Sequence, residues 1–258
     1  MPDSPLLSVP VDRLAPFTAG RGETGILLLH GFTGTPADMR DLALCLADAG
    51  FRVANVRLAG HAAGEEALAA TRWPDWWESV LTAYLSLRSE CRRVLVCGLS
   101  IGGTLALKLC AQYPVAGAMM LATPLFLNGA LLPLVPLLSL VVRFRPHGPP
   151  SVLDPEARAL QPDVGRTPLS SLASSCALMR HVNDLLPQVT CPLLLVYSRC
   201  DHVVPFANMN HIATRVGSRN VRTHVLTRSD HVITVDYDRE EVRKRVLEFA
   251  LELNEVVG

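Results

Sequence analysis

Short apolar runs, rich in branched side chains, alternate along the chain with longer segments whose apolar positions repeat at helical spacing. Such an alternation is typical of a mostly parallel sheet with helices packed against it. The runs that predict strands span residues 25–30, 51–57, 93–98, 116–121, 192–198 and 221–227. The pattern therefore predicts an α/β fold, with a mostly parallel central sheet flanked by helices.

Residues with strong preferences for helix ends stand between these strands. Thr35 offers a capping hydroxyl and Pro36 suits the first helical position. Asp38 places an acid in the first turn, and Gly50 ends this first helix. Later helices are predicted over residues 75–88 and 100–113, from about residue 205, and from about 236 to 253.

The alternation is interrupted once, between residues 124 and 187. This segment is rich in proline, predicts no strand, and holds two helix signals, Asp154-Pro155-Glu156 and residues 171–186. An insertion after a strand of a parallel sheet lies at the carboxyl edge, where ligands bind in such folds. We therefore expect one core, residues 1–123 and 188–258, with a small helical cap over 124–187 inserted before the next strand.

One part of this insertion raises the question of a membrane span. Residues 125–142, LFLNGALLPLVPLLSLVV, carry no charge over 18 positions, which is about the length of a transmembrane helix. Pro133 and Pro136 would interrupt the backbone hydrogen bonds that lipid requires to be satisfied. We therefore expect no stable membrane span, while a transient contact with a lipid surface stays open.

The charge balance excludes one class of partner. The chain has 24 basic and 24 acidic residues, a formal net charge of +0. Proteins that bind nucleic acid neutralise phosphates with a surplus of Lys and Arg, and this sequence has no surplus. With 49% hydrophobic and 19% charged residues, the chain is expected to form a large packed core and to bind no nucleic acid.

Cysteine spacing and the first ten residues bear on metals and compartment. The seven cysteines are odd in number and include no Cys-x-x-Cys pair, which argues against a disulfide framework or a zinc site. Asp3 stands where a signal peptide needs positive charge, and Pro5 and Pro10 interrupt the apolar run. We therefore expect no zinc site, no export signal and a cytoplasmic protein.

A nucleophile motif stands at the junction of strand 93–98 and the helix that follows it. The sequence Gly98-Leu99-Ser100-Ile101-Gly102 has the Gly-x-Ser-x-Gly spacing of a nucleophile elbow. In that motif a strained turn lifts the serine hydroxyl out of the sheet, and small flanking residues let strand and helix approach closely. The motif predicts Ser100 as a catalytic nucleophile.

The partners that an elbow serine needs follow in the chain order acid, then base. Asp201 lies in the turn after strand 192–198, and His231 lies after strand 221–227, before the last helix. Asp230 is an alternative acid, but it adjoins the histidine in sequence and is poorly placed to contact its ring. His202 and His211 are alternative bases, although the first adjoins Asp201 and the second falls in a predicted helix.

Stabilising the oxyanion requires two backbone N–H groups. Ile101, the residue after the nucleophile, is expected to supply one of them. The other is expected from the glycine-rich segment His30-Gly31-Phe32-Thr33-Gly34 after the first strand, with Phe32 as the donor.

The sequence resembles the α/β-hydrolase superfamily, in particular bacterial carboxylesterases related to monoacylglycerol lipases. The resemblance rests on HGFTGTPADM from His30, LAGHAAG from Leu58, PDWWESV from Pro74, GLSIGG from Gly98, RCDHVVP from Arg199 and SDHVITVDYDRE from Ser229. It extends over residues 25–123 and 192–253 and leaves the insertion almost unmatched.

The resemblance implies the same roles for five residues. They are Ser100 as nucleophile, His231 as base, Asp201 as orienting acid, and Phe32 and Ile101 as oxyanion donors. It also implies carboxylic esters of short- to medium-chain acids, including monoacylglycerols, as substrates, and neither a metal nor an organic cofactor. The expected partner is a small-molecule ester, and the expected oligomeric state is a monomer or a weak homo-oligomer.

Apolar side chains of the insertion are expected to line an acyl pocket. The candidates are Leu125, Phe126, Leu127, Leu131 and Leu134. A thioesterase or another acyl hydrolase of this fold would need the same five residues, so the sequence leaves these activities open. Outside enzymes, the alternative is a receptor that binds a small ligand without converting it.

Overall fold

Seven strands form the central sheet of the protein. The computed structural model describes residues 11–148, 151–162 and 165–255. In chain order its strands are β1 Phe17–Ala19, β2 Thr24–Leu29, β3 Arg52–Val56, β4 Arg93–Leu99, β5 Gly117–Leu121, β6 Phe144–Pro146, β7 Arg166–Pro168, β8 Leu193–Ser198 and β9 Val221–Leu226. The large sheet has the order β1-β3-β2-β4-β5-β8-β9, with β1 antiparallel to β3 and every other neighbouring pair parallel. The six expected strands are all present, which confirms the predicted fold class.

Helices cover both faces of this sheet. They are α1 Val11–Leu14, α2 Ala37–Asp48, α3 Glu65–Ala69, α4 Trp73–Glu90, α5 Ile101–Gln112, α6 Val135–Leu138, α7 Pro155–Ala159, α8 Leu169–Leu185, α9 Ala207–Ala213 and α10 Arg239–Glu255. On one face, α2 and α10 bury Leu42 and Phe249 in one apolar cluster. On the other, α4, α5 and α8 bury Trp76, Leu105 and Leu178 in a second one.

The start of α2 differs slightly from the expectation. Pro36 occupies the position before the first helical residue, where it was expected to be that residue. The Thr35 hydroxyl accepts a hydrogen bond from the backbone of Ala37 (3.3 Å), as a capping residue does. Asp38 accepts one from the backbone of Thr35 (3.0 Å) and thereby closes the turn.

The insertion contains strands that the sequence did not predict. After a 3₁₀ turn at Leu132–Leu134 and the short α6, β6 pairs antiparallel with β7 to form a separate two-stranded sheet. Each strand has three residues and includes a proline, so neither shows the alternation by which a strand is recognised. The two helix signals are confirmed, since Asp154 caps the first turn of α7 and α8 covers nearly all of 171–186.

The last helix of the insertion is part of the main core. Leu178, Met179 and Val182 of α8 are buried in the same cluster as the side chains of α4 and α5. The Ser174 hydroxyl also accepts a hydrogen bond from the backbone N–H of Trp73 at the start of α4 (2.8 Å). This second half of the insertion is therefore held against the body of the protein.

Two sequence predictions concern membranes and compartment. Within 11–148, 151–162 and 165–255, no helix has the length and apolar character needed to cross a bilayer. Residues 1–10, on which the expectations of no export signal and a cytoplasmic location rest, lie outside the described part of the chain.

Candidate active site

Ser100 sits in a strained turn between β4 and α5. Its backbone φ is 53° and its ψ is −124°, a conformation that side chains other than glycine rarely adopt. Glycine is required around it because strand and helix are in contact. A methyl group on Gly102 would lie 2.3 Å from the carbonyl oxygen of Leu29, and one on Gly103 would lie 1.8 Å from the Thr123 hydroxyl. The local geometry is that of a nucleophile elbow.

The three side chains expected to form a triad are in hydrogen-bond contact. Nε2 of His231 lies 2.9 Å from Oγ of Ser100, and Nδ1 of His231 lies 2.8 Å from Oδ2 of Asp201. The Asp201 side chain is fully buried and that of His231 is 10% exposed. An ionised carboxylate only accepts hydrogen bonds, so Nδ1–H donates to it and Nε2 is left to accept the serine proton.

The second oxygen of the Asp201 carboxylate is also occupied. Oδ1 accepts hydrogen bonds from the backbone N–H groups of Val203 and Val204, both at 2.8 Å. These bonds fix the carboxylate in the turn after β8. A rigid, ionised acid next to His231 is what holds an imidazole in one tautomer.

Asp236 organises the turn that carries His231, and sequence reasoning did not identify it. Its buried carboxylate accepts hydrogen bonds from four backbone N–H groups, at distances of 2.7 to 2.9 Å. The donors are Leu153, Asp154, Asp230 and Tyr237. Because two of them belong to the insertion, this one side chain ties the segment before α7 to the turn that bears the histidine.

The oxyanion segment forms a tight turn next to Ser100. The backbone N–H of Gly34 donates to the carbonyl of Gly31 (3.1 Å), and Thr33 adopts a positive φ of 60°. A methyl group on Gly31 would lie 3.1 Å from Cβ of Ser100, so the turn and the nucleophile are in contact. The Phe32 ring packs against Trp76, with 5.9 Å between ring centroids.

His30 holds this turn in place. Its Nδ1 donates to the carbonyl of Gly31 (2.9 Å), and its Nε2 accepts from the backbone of Leu58 (3.2 Å). Burial, together with the nearby His61, lowers the pKa of His30 to about 3. The ring therefore stays neutral, as a nitrogen that accepts a hydrogen bond requires.

The two backbone groups expected to bind the oxyanion are available. In the described residues, neither the N–H of Phe32 nor that of Ile101 donates a hydrogen bond to another protein atom. The Ile101 N–H also opens α5, whose N-terminus carries a partial positive charge. Both groups are thus free to donate to a negatively charged oxygen beside Ser100.

The alternative residues pair with one another or lie elsewhere. The Asp230 carboxylate lies 2.7 Å from Nδ1 of His202, and Nε2 of His211 lies 2.6 Å from the side-chain oxygen of Asn183. None of the three contacts Ser100 or completes its relay. Across the described ranges, no three His, Cys, Asp or Glu side chains are grouped so as to hold a metal ion.

The five side chains expected to line an acyl pocket differ in burial. Leu125 is buried in the main core, and Phe126 and Leu127 are half-buried. Leu131 and Leu134 are 65% and 48% exposed.

The insertion contacts the oxyanion segment through a cluster of apolar side chains outside the predicted pocket set. Val135, Leu169 and Leu172 form a buried cluster that packs against Phe32, with Leu132 and Leu138 at its edge. Residues 131–138, LLPLVPLL, are apolar on every side. Helical periodicity therefore could not decide which of them face inwards.

The chain is similar to known hydrolases over nearly its full length. It matches the Hydrolase_4 family, described as serine aminopeptidase, S33, over residues 22–238. A thermostable monoacylglycerol lipase of Bacillus sp. (strain H-257) is 37% identical over 242 residues, 91% of this chain and 93% of that protein. A carboxylesterase of Bacillus subtilis (strain 168) is 30% identical over 242 residues, 93% of this chain and 97% of that protein.

Solved structures show the same fold. One reported with LipS and LipT, two metagenome-derived lipolytic enzymes, has a TM-score of 0.89 and 30% identity, covering 95% of this chain and 99% of that one. The monoacylglycerol lipase of Paleococcus ferrophilus has a TM-score of 0.79 at 16% identity, covering 93% of this chain and 99% of that one. With its parallel sheet, elbow serine and family match, the chain is an α/β-hydrolase that belongs to the Hydrolase_4 family.

Proposed function

We propose that this protein is a serine carboxylesterase in which Ser100 forms the acyl-enzyme. The observation that carries the proposal is the continuous relay from Ser100 through His231 to Asp201, with contacts of 2.9 and 2.8 Å. Oγ of Ser100 attacks the ester carbonyl carbon while Nε2 of His231 takes its proton. Asp201 holds the Nδ1–H tautomer and stabilises the imidazolium that results.

The tetrahedral intermediate places a negative charge on the former carbonyl oxygen. The backbone N–H groups of Phe32 and Ile101 donate to that oxygen, and their positions are set by the turn at Gly31 and by the start of α5. Because these donors are fixed before the reaction, little reorganisation is needed when the charge develops. The imidazolium then protonates the leaving alcohol, and the ester bond breaks.

Hydrolysis of the acyl-enzyme follows the same steps, with a water molecule in place of the serine hydroxyl. His231 takes a proton from a water molecule, whose oxygen attacks the acyl carbon, and the same two N–H groups stabilise the second oxyanion. The proton returns to Oγ of Ser100 as the acid leaves. All groups end in their starting protonation states, so the cycle needs neither a cofactor nor a redox partner.

One observation favours esters over the amino-terminal peptides that the family description suggests. The insertion presents the apolar cluster of Val135, Leu169 and Leu172 to the oxyanion segment, which suits an acyl chain.

The proposal assigns residues 124–187 as a cap on a core of residues 1–123 and 188–258. Support comes from the packing of Val135 and Leu172 against Phe32, which brings the insertion next to the oxyanion segment. Substrates of this arrangement are uncharged esters whose acyl chain lies along the cluster, with short- to medium-chain acids, including those of monoacylglycerols, as the expected class.

Activity on a series of p-nitrophenyl esters from acetate to laurate, with matched thioesters, tests this function. We expect turnover of the oxygen esters, and covalent labelling by a fluorophosphonate probe that Ser100→Ala abolishes. Labelling that persists in Ser100→Ala would contradict the nucleophile assignment. Turnover confined to thioesters would make the enzyme a thioesterase, and binding of esters without any turnover would favour the receptor.

The outer side of the insertion suits a lipid surface, and we include this contact in the proposal. Its exposed residues, which we call the outer apolar ridge, are between 48% and 82% exposed. They are Leu131, Leu134, Leu137, Leu140 and Val141. Two exposed cationic residues, Arg143 and Arg145, follow the ridge. Arg143 is paired with Glu66, which leaves Arg145 to complement anionic lipid. An apolar ridge beside cationic residues is typical of transient surface binding rather than of a span.

Co-sedimentation with anionic and with neutral vesicles tests this contact. We expect binding to anionic vesicles that Leu137→Ser with Val141→Ser abolishes, while Leu251→Ser, an exposed leucine on α10, leaves it unchanged. Absence of vesicle binding would refute the contact. A concentration-dependent dimer that the same double variant dissolves would assign the ridge to a second copy of the chain instead.

A further inference from the structure

Two His–Asp pairs connect the turns after β8 and β9, and they cross. The first turn carries Asp201 followed by His202, and the second carries Asp230 followed by His231. Asp201 contacts His231 at 2.8 Å, and Asp230 contacts His202 at 2.7 Å. The carboxylate of each turn therefore binds the histidine of the other turn.

The second pair lies outside the catalytic relay, and its carboxylate is also buried and hydrogen-bonded. The Asp230 side chain is only 4% exposed, and its carboxylate accepts hydrogen bonds from both the backbone N–H (3.1 Å) and Nδ1 of His202. No other donor to this carboxylate is present in the part of the chain that the structure describes. The backbone N–H of Asp230 is held in turn by Asp236 (2.7 Å).

Such a pair contributes little to folding. A buried carboxylate loses the stabilisation it has in water, and an ion pair seldom returns more than that loss. The His202 side chain is 49% exposed, so water screens the attraction further. The pair fixes the distance between the two turns, because the backbone N–H and Nδ1 of His202 both donate to the Asp230 carboxylate.

We propose that His202 and Asp230 are positioning residues for the reaction. They hold the turn of Asp201 and the turn of His231 at the spacing that the Asp201–His231 hydrogen bond requires. Each positioning residue is the immediate neighbour of a triad residue, so a shift of one turn relative to the other displaces the acid from the base. Displacements of about 1 Å in an active site cost up to about 100-fold in rate.

The inference rests on the proposed roles of Ser100, His231 and Asp201. Its test distinguishes a failure of the positioning role from a failure of those proposed roles. His202→Ala removes the Nδ1 donor from a half-exposed site and leaves the backbone donor in place. We expect kcat to fall between about 10- and 100-fold with KM nearly unchanged. His202→Asn, whose side-chain amide nitrogen occupies nearly the same place as Nδ1, is expected to restore most of kcat.

A matched control exists on β9, the strand that precedes the turn of Asp230. Nε2 of His224 on β9 lies 3.2 Å from Glu241 on α10, a partly exposed His–acid pair away from the triad turns. His224→Ala is expected to leave kcat unchanged. Equal unfolding midpoints for the His202 variants and the parent protein would show that the effect does not come from lost stability.

The outcomes separate the two proposals. A His202→Ala protein with unchanged kcat, or a His202→Asn protein that is no better than His202→Ala, would overturn the positioning role while Ser100→Ala remains inactive. An active Ser100→Ala protein would overturn the proposed function itself.

Discussion

Nε2 of His231 lies 2.9 Å from Oγ of Ser100, although 131 positions separate the two residues in the chain. The sheet brings them together, because β4 and β9 belong to one run of parallel strands and end at the same edge. Ser100 follows the first of these strands, and the turn of His231 follows the second. The contact therefore depends on strand order as much as on the local motif.

Replacing the orienting acid tests the relay without removing either reacting group. Asp201→Asn keeps the size of the side chain, but it places an amide where Nδ1 of His231 needs an acceptor. We expect kcat to fall about 10⁴-fold, because the imidazole is then held in the wrong tautomer. Steady-state kinetics on a p-nitrophenyl ester measures the change. A loss smaller than about 10-fold would assign the orienting role to another residue.

The contribution of Asp38 to the free energy of unfolding falls as the pH rises, whereas most carboxylates in proteins have the opposite effect. Burial raises its pKa from 3.8 to about 6. Because the folded state then binds the proton more tightly than the unfolded state, the contribution of Asp38 is greatest below about pH 4 and is lost as the pH rises through about 6.

The size of this effect can be measured with Asp38→Asn. The shift corresponds to about 3 kcal/mol between the two ends of the window. We expect the variant to gain that much stability relative to the parent protein when urea unfolding at about pH 8 is compared with unfolding at about pH 4. A difference between the two proteins that does not change with pH would contradict the prediction.

The elbow depends on a close approach at Gly102. Gly102→Ala would bring a methyl group within 2.3 Å of the Leu29 carbonyl and 2.5 Å of the His30 carbonyl, which are backbone atoms that cannot move aside. We expect a loss of about 3 kcal/mol or more in the free energy of unfolding. Gly148→Ala is the control, since among the described residues no atom beyond its chain neighbours lies within 4 Å of its added methyl group. Equal stability of the two variants would contradict the close contact.

The preference of the enzyme for acyl-chain length is expected to depend on the buried Val135 and not on the exposed Leu134 just before α6. Val135→Phe enlarges a buried side chain that packs near Phe32, whereas Leu134→Phe enlarges its exposed neighbour. We expect Val135→Phe to lower the ratio of laurate to acetate hydrolysis at least about 10-fold. The Leu134 variant is expected to keep the parent ratio. If both variants changed the ratio alike, the acyl chain would run along another surface.

Much of this architecture could be predicted because its signals are local. The strands around the nucleophile are buried on both faces, so they read as continuous apolar runs, and β2, β4 and β8 were placed to within one residue. The elbow motif and the short polar turns at Asp201 and His231 follow such strands directly. Parallel strands carry those turns to one edge, which is why the proposed triad could be assembled from the elbow motif, the chain order and the turns that follow strands.

What the sequence concealed depends on contacts between distant residues. Asp236 looks like an ordinary first-turn acid, yet its carboxylate binds backbone groups of Leu153 and Asp154, about 80 positions earlier. The pairing of Asp230 with His202 likewise depends on a contact between two turns that lie 28 positions apart in the chain. The inward positions of residues 131–138 could not be read either, since Leu134 and Val135 are both apolar and only packing distinguishes them.

The four hydrogen bonds of Asp236 also limit how substrate can enter. They join residues 153 and 154 to the turn of His231, and the Val232 N–H donates to the carbonyl of Ser151 (3.1 Å) as well. Lifting this stretch would pull the base away from the serine and stop the reaction. We therefore expect any opening of the insertion that keeps His231 in contact with Ser100 to occur around α6.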